Sequence, residues 1–156
     1  MKKLKSLEYA FFLLKLRDRS IGELREKMER KEYPSKEISE TIDFLIAKNF
    51  LDDERFTRNF VRFKKSLKPV GKYYLQNKLR QKKIDNEIIE KVLTESSDEE
   101  SEIEEAADHW LARNRKVPKK KLYEKLSRHL LSRGFEWEKV KEVIEEKLWY
   151  NKENNF

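Results

Sequence analysis

Side chains that could do covalent or metal chemistry are few in this chain and scattered. His109 and His129 stand twenty positions apart, with no further ligand at metal-binding spacing, so each reads as an ordinary surface or partly buried imidazole. There is no cysteine, which excludes a disulfide framework and thiolate metal sites. Three glycines in 156 residues supply neither a phosphate-binding loop nor a nucleophile elbow. Asp52-Asp53-Glu54 places three carboxylates in a row, which could hold a metal; capping of the following helix explains them at lower cost. No catalytic residue, metal ligand or cofactor is expected, and the chain reads as non-enzymatic.

Positive charge is what the chain has in quantity, with a net +7. A basic protein favours polyanions, nucleic acid above all. The charge is unevenly spread: residues 1–51 carry 12 basic and 9 acidic groups, 52–97 carry 12 and 7, and 98–156 carry 13 and 14. From Arg55 to Lys83 there are eleven Lys or Arg residues and no acid. Solvated helix faces ordinarily mix signs four residues apart, so an acid-free stretch of 29 residues points to phosphates or an acidic protein groove. The candidate binding residues are Arg55, Arg58, Arg62, Lys64, Lys65, Lys72, Lys78, Arg80, Lys82 and Lys83. A second cluster, ranked lower, holds Arg113, Arg115, Lys116, Lys119, Lys120 and Lys121, continuing to Lys125 and Arg128 with one acid, Glu124, among them. The acidic run over 98–108 precedes it and is expected to neutralise part of it. Tyr73 and Tyr74 are candidate base-stacking rings, since only one of two adjacent residues easily faces a core. Phe56, Phe60, Phe63 and the three tryptophans are assigned to packing.

These residues must be positioned by helices. Glycine and proline number three each, too few to punctuate strands and hairpins, and 43% of residues are charged. Thin helical layers, each burying one stripe, suit that balance better than one thick core. The apolar positions repeat: Leu24, Met28 and Tyr33 return 51 residues later as Leu75, Leu79 and Ile84, and again as Leu126, Leu130 and Phe135. Each set runs into a third helix, through Ile38 and Ile42, through Ile88 and Val92, and through Val140 and Ile144. Such a period signals tandem units that cannot each bury a face alone. The spacing predicts an all-α chain of three three-helix repeats, 1–51, 52–97 and 98–156, forming an elongated, curved array. The helices are expected over 6–18, 21–31, 35–48, 53–67, 70–82, 86–96, 99–115, 119–132 and 136–150. Ser20 with Glu23, and Ser97 with Glu100, read as capping boxes; Pro118 suits a first helical turn and Gly134 a left-handed stop. No apolar run is long enough to span a bilayer and the N-terminus does not read as a signal peptide, so the expected location is the cytoplasm.

Several segments resemble the RecX family of RecA regulators. Asn49-Phe50-Leu51-Asp52-Asp53-Glu54-Arg55-Phe56 is similar to its hallmark of Gly, an aromatic, Leu-Asp-Asp, then x-Arg-Phe. Arg17-Asp18-Arg19-Ser20-Ile21-Gly22-Glu23-Leu24 resembles its Arg-x-Arg-Ser-x-x-Glu-Leu element. Val70-Gly71 before Leu75 and Leu79, and Arg133-Gly134-Phe135, resemble its later turns. Asn49 stands where glycine is usual, and Lys83 replaces a glycine common before Ile84. The resemblance spans roughly 7–150. It implies a tandem three-helix-repeat protein that binds RecA filaments on single-stranded DNA in their helical groove. It also implies that the protein lowers RecA ATPase, strand exchange and co-protease activity. The expected partners are then the RecA filament and single-stranded DNA, with no membrane, the chain acting as a monomer. The alternatives are a helical protein that acts on nucleic acid directly and a scaffold for an acidic protein.

Overall fold

The computed structural model describes residues 5–96 and 98–153. Among the described residues it contains nine α-helices and no strand: α1 (Ser6–Leu16), α2 (Ile21–Arg30), α3 (Ser35–Ala47), α4 (Asp53–Leu67), α5 (Lys72–Gln81), α6 (Asn86–Glu95), α7 (Glu99–Arg113), α8 (Lys119–Ser132) and α9 (Trp137–Glu153). The all-α, three-helix-repeat reading holds. The signals that start the helices are local. Ser20 accepts the Glu23 N–H while the Glu23 carboxylate takes the Ser20 N–H, closing the capping box of α2. Asp98 caps α7 by accepting from the Ser101 N–H; Ser97, assigned to the same box, lies outside the described residues. Pro118 precedes α8 as its N-cap, one position earlier than expected, because its extended backbone (ψ 138°) closes the loop before Lys119 enters the helix.

The 51-residue period reappears in the backbone. Glu32, Lys83 and Gly134 follow the second helix of their repeats, and all three adopt the left-handed conformation, with φ of 58°, 62° and 81°. Each is followed by an N–H bonded back to the helix: Tyr33 to Met28 O, Ile84 to Leu79 O, Phe135 to Leu130 O. That is the left-handed helix stop, made by glycine only in the third repeat. Lys83 therefore occupies the same turn a glycine would, at a conformational cost of roughly 1 kcal/mol for a residue with a Cβ.

The chain divides into two compact units, one of residues 1–60 with 78–92 and one of 61–77 with 93–156. In the first, α1, α2 and α3 close over Ala10, Leu13, Leu24, Met28, Tyr33, Ile38, Ile42, Leu45 and Leu51. In the second, α7, α8 and α9 close over Ile103, Ala106, Ala107, Leu126, Leu130, Phe135, Val140, Val143 and Ile144. The periodic positions are buried in these two cores and, in the middle set, at Leu75, Leu79, Ile84 and Val92, with one exception: Ile89 is fully buried and Ile88 only half.

One seating device occurs in both units. In the first, the N-terminus of α2 meets the turn after α5: Ser20 Oγ donates to Lys82 O, and a Cβ on Gly22 would collide with Lys83. In the second, the N-terminus of α5 meets the turn after α8: the Gly71 N–H donates to Arg133 O (2.9 Å) and the Tyr73 N–H to Gly134 O (2.9 Å). Gly71 lies against the Gly134 carbonyl so closely that a side chain has no room. An acid from the first residue of a later helix completes each joint. Asp53 accepts the Ile21 N–H (2.8 Å) and Glu99 the Lys72 N–H (3.2 Å), so carboxylates neutralise the positive ends of α2 and α5.

Candidate nucleic-acid and filament interface

Helix α4 carries the first basic stripe, and its buried face differs from the expected one. Phe56, Thr57 and Val61 are buried and Phe60 half-buried, whereas Phe63 (58% exposed) and Leu67 stand in solvent. Burial follows Thr57 and Val61 at a four-residue step and continues to Lys65; Phe63, two positions beyond Val61, points to the opposite side. Trp137 and Trp149 are likewise exposed. Of the adjacent tyrosines, Tyr73 is exposed and Tyr74 half-buried.

Many of the cations between Arg55 and Lys83 are engaged by groups of this chain. Arg58 pairs with Glu54 (2.6 Å), which also holds Lys91 (3.1 Å). Lys65 pairs with Glu102 (2.7 Å) and donates to Ser96 O (3.1 Å). Burial raises the Glu102 carboxyl against the opposing pull of the Lys65 hydrogen bond. Lys82 pairs with Glu23 (2.9 Å) and lies over the Phe60 ring. Arg55 donates to Asn49 O and Arg80 to the Asn86 side chain. Lys64, Lys72 and Lys78 are half-buried on the same helices. Arg62, Lys68 and Lys83 are exposed, with no ion pair among the described residues. The stretch is free of acids in sequence but not in space, because Glu23, Glu54 and Glu102 reach it from outside.

The second cluster is different. Arg113 closes α7, Arg115 and Lys116 occupy the following turn, and Lys119, Lys120 and Lys121 form the first turn of α8. All six are exposed, and none makes an ion pair among the described residues. Three acids of the run expected to neutralise them are committed elsewhere, Glu99 to Lys139 (2.8 Å), Glu102 to Lys65 and Asp108 to Lys147 (2.8 Å), while Glu100, Glu104 and Glu105 are exposed and pair with none of the six. A depression of about 440 Å³ opens here, lined by Arg113, Asn114, Arg115, Lys116, Pro118 and Lys125. By ion-pair occupancy the two clusters thus stand in the reverse of their order by sequence density.

No group of three acids or histidines capable of holding a metal occurs among the described residues. Asp52 accepts the Arg55 N–H (3.0 Å), Asp53 that of Ile21, and Glu54 pairs with Arg58 and Lys91, so the three acids share no partner. His129 packs near Trp110, its imidazole pushed down by burial and then by Arg133, and His109 is exposed.

Residues 7–45 match the family description "RecX, first three-helix domain", and residues 52–93 match "RecX, second three-helix domain". The regulatory protein RecX of Prosthecochloris aestuarii is 32% identical over 92% of this chain and 94% of its own length. The chain belongs to the RecX family. RecX of Chlorobium limicola is 34% identical, over 87% of this chain and 85% of that one. The crystal structure of RecX from Lactobacillus salivarius superposes with a TM-score of 0.84 at 23% identity, over 91% of this chain and 94% of that one, and agrees in fold.

The RecX signature residues now have physical roles, and those roles are in folding. Arg17 makes a two-pronged pair with Glu23 (3.0 and 3.2 Å), and buried Arg19 donates to Leu13 O (3.3 Å). Ser20 and Glu23 cap α2, and Leu24 is core. Asp52 starts α4, Asp53 caps α2, Leu51 and Phe56 are buried, and Asn49 supplies a left-handed turn (φ 60°) in place of glycine. Burial alone would raise the Glu23 carboxyl, but hydrogen bonds from Arg17, Lys82 and the Ser20 N–H hold it at about 2. The residues that carry the resemblance to the RecX family thus serve to build the scaffold.

Proposed function

We propose that this RecX-family chain is a non-enzymatic regulator of RecA. In this reading it binds RecA filaments on single-stranded DNA, lying in their helical groove, and lowers RecA ATPase, strand exchange and co-protease activity. It acts as a monomer, in the cytoplasm, through the segments 1–51, 52–97 and 98–156. The observation that carries the reading is the likeness to a regulatory protein RecX over 92% of this chain and 94% of the relative. The exposed cations at Arg62, Lys68 and Lys83, and those from Arg113 to Lys121, support a polyanionic partner. No helix among the described residues is long and apolar enough to cross a membrane.

The test is the single-stranded-DNA-dependent ATPase of the host's RecA, titrated with this protein beside its binding to naked DNA at the same salt. Inhibition well below one copy per RecA protomer, with little naked-DNA occupancy, is expected. The unpaired α7–α8 cations equally fit one second reading, a helical protein acting on nucleic acid directly. Inhibition only once the DNA is saturated would select it.

A further inference from the structure

We infer that the α7–α8 turn is a docking site for single-stranded nucleic acid, with phosphates held by Arg113–Lys121 and a base stacked on Tyr123. This deepens the filament reading, on which it rests for the identity of the strand. Six cations fall within nine residues, exposed and without an ion pair among the described residues; Arg113, Arg115 and Lys116 line a depression of about 440 Å³, and Lys119, Lys120 and Lys121 follow directly in the chain. Within the denser stretch from Arg55 to Lys83, by contrast, Arg58, Lys65 and Lys82 are paired internally. Here Lys119, Lys120 and Lys121 occupy the positive end of α8, whose first turn holds no acid and whose N-cap offers no side-chain acceptor. Like charges at that end oppose the helix dipole, so the turn is destabilised until an anion comes from outside.

The adjoining ring selects the class of polyanion. Tyr123 is 37% exposed and lies four residues after Lys119 and three after Lys120, on the same side of α8. An aromatic beside phosphate-binding cations suits a strand whose bases are free to stack. A duplex presents no free base face, and an acidic protein surface gains nothing particular from the ring.

The test uses the full chain and labelled oligo-dT, followed by fluorescence anisotropy across a salt series. Lys119→Gln, Lys120→Gln and Lys121→Gln are combined in one variant. Removing these charges relieves the dipole conflict, so α8 is retained, which thermal melting verifies. Affinity at low salt is expected to fall at least tenfold, and the slope of log K against log salt to flatten by about 2, at roughly 0.7 per phosphate contact on a single strand. Tyr123→Leu is expected to weaken oligo-dT binding several-fold without changing that slope. Arg62→Gln with Lys68→Gln is expected to have the smaller effect.

Unchanged affinity and slope in the triple variant, or no binding of oligo-dT by the native chain, overturns the inference. Displacement by polyglutamate at equal charge, with Tyr123→Leu silent, also overturns it and assigns the turn to an acidic protein. Equal losses on duplex DNA reject the single-strand preference. The RecA ATPase of the same proteins separates the two levels. Native inhibition retained by a variant with unchanged anisotropy sinks this site alone. Absence of inhibition by the native chain sinks the filament reading, while the anisotropy result stands.

Discussion

Replacing Glu23 by glutamine should remove the most strongly engaged carboxylate of the first unit. Glu23 receives Arg17 at 3.0 and 3.2 Å, Lys82 at 2.9 Å and the Ser20 N–H at 3.2 Å. These hold its pKa at about 2, against 4.5 for the free side chain. At about 1.36 kcal/mol per unit, the ionised form contributes roughly 3 kcal/mol at most. Arg17 is half exposed, so solvent screening lowers this to about 2 kcal/mol. The pH dependence has a definite sign. A carboxyl whose folded pKa is depressed contributes stability that is present above its unfolded pKa and lost as pH falls toward the folded one. Urea unfolding of Glu23→Gln at pH 7 should therefore show a midpoint lowered by the equivalent of about 2 kcal/mol with an unchanged slope. The gap to the native chain should narrow steadily between pH 4.5 and pH 2. A loss below about 0.5 kcal/mol at pH 7, or one that does not change with pH, would refute the reasoning.

Further outcomes are expected at other positions. Phe135→Ala, at a ring 1% exposed, should cost about 3–5 kcal/mol, while Phe63→Ala, 58% exposed, should stay within about 0.5 kcal/mol in the same melts. Lys83→Gly should stabilise by roughly 1 kcal/mol, since the left-handed turn no longer strains a side chain. Gly134→Ala should destabilise by more than that, and hydrogen exchange should show the Tyr73 N–H losing protection as Tyr74 is pushed away. Asp53→Ala should cost about 1 kcal/mol through the lost cap on Ile21, whereas Asp53→Asn keeps an acceptor there and should be nearly neutral. Burial raises the Asp53 carboxyl, so the native chain should gain stability relative to Asp53→Asn as pH falls through that raised value.

The helices were legible because their signals are short-range. Ser20–Glu23, Gly134 and the four-residue apolar steps act within a turn or two, and the helix ends fall within a few residues of expectation. The 51-residue period was legible in Leu24, Leu75 and Leu126, and it is repeated in the left-handed turns at Glu32, Lys83 and Gly134, which the residue types alone hide. Faces were read less well where apolar spacing and actual cover diverge. Phe63 shares the step pattern of Phe56, yet no element covers it, while Thr57 and Lys65 turn inward because polar partners await them. Charge was the hardest quantity to read. Solvated faces pair charges four residues apart, but Lys65 finds Glu102 and Lys82 finds Glu23 across long separations, which a linear scan cannot foresee. The α7–α8 cluster stays unpaired although acids lie near it in sequence: Glu102 is engaged by α4, Asp108 by α9 and Glu124 by Arg128 of α8 itself. Asp53 and Glu99 were readable as acids near a helix start; that they serve α2 and α5 emerges only from the fold.

The most direct measurement is co-sedimentation of this chain with preassembled RecA filaments and, in parallel, with an equal length of naked single-stranded DNA at one salt concentration. Stronger binding to the filament, saturating below one copy per RecA protomer, is the result predicted. Equal or stronger binding to the naked strand would contradict a filament regulator and leave a protein that acts on the nucleic acid itself.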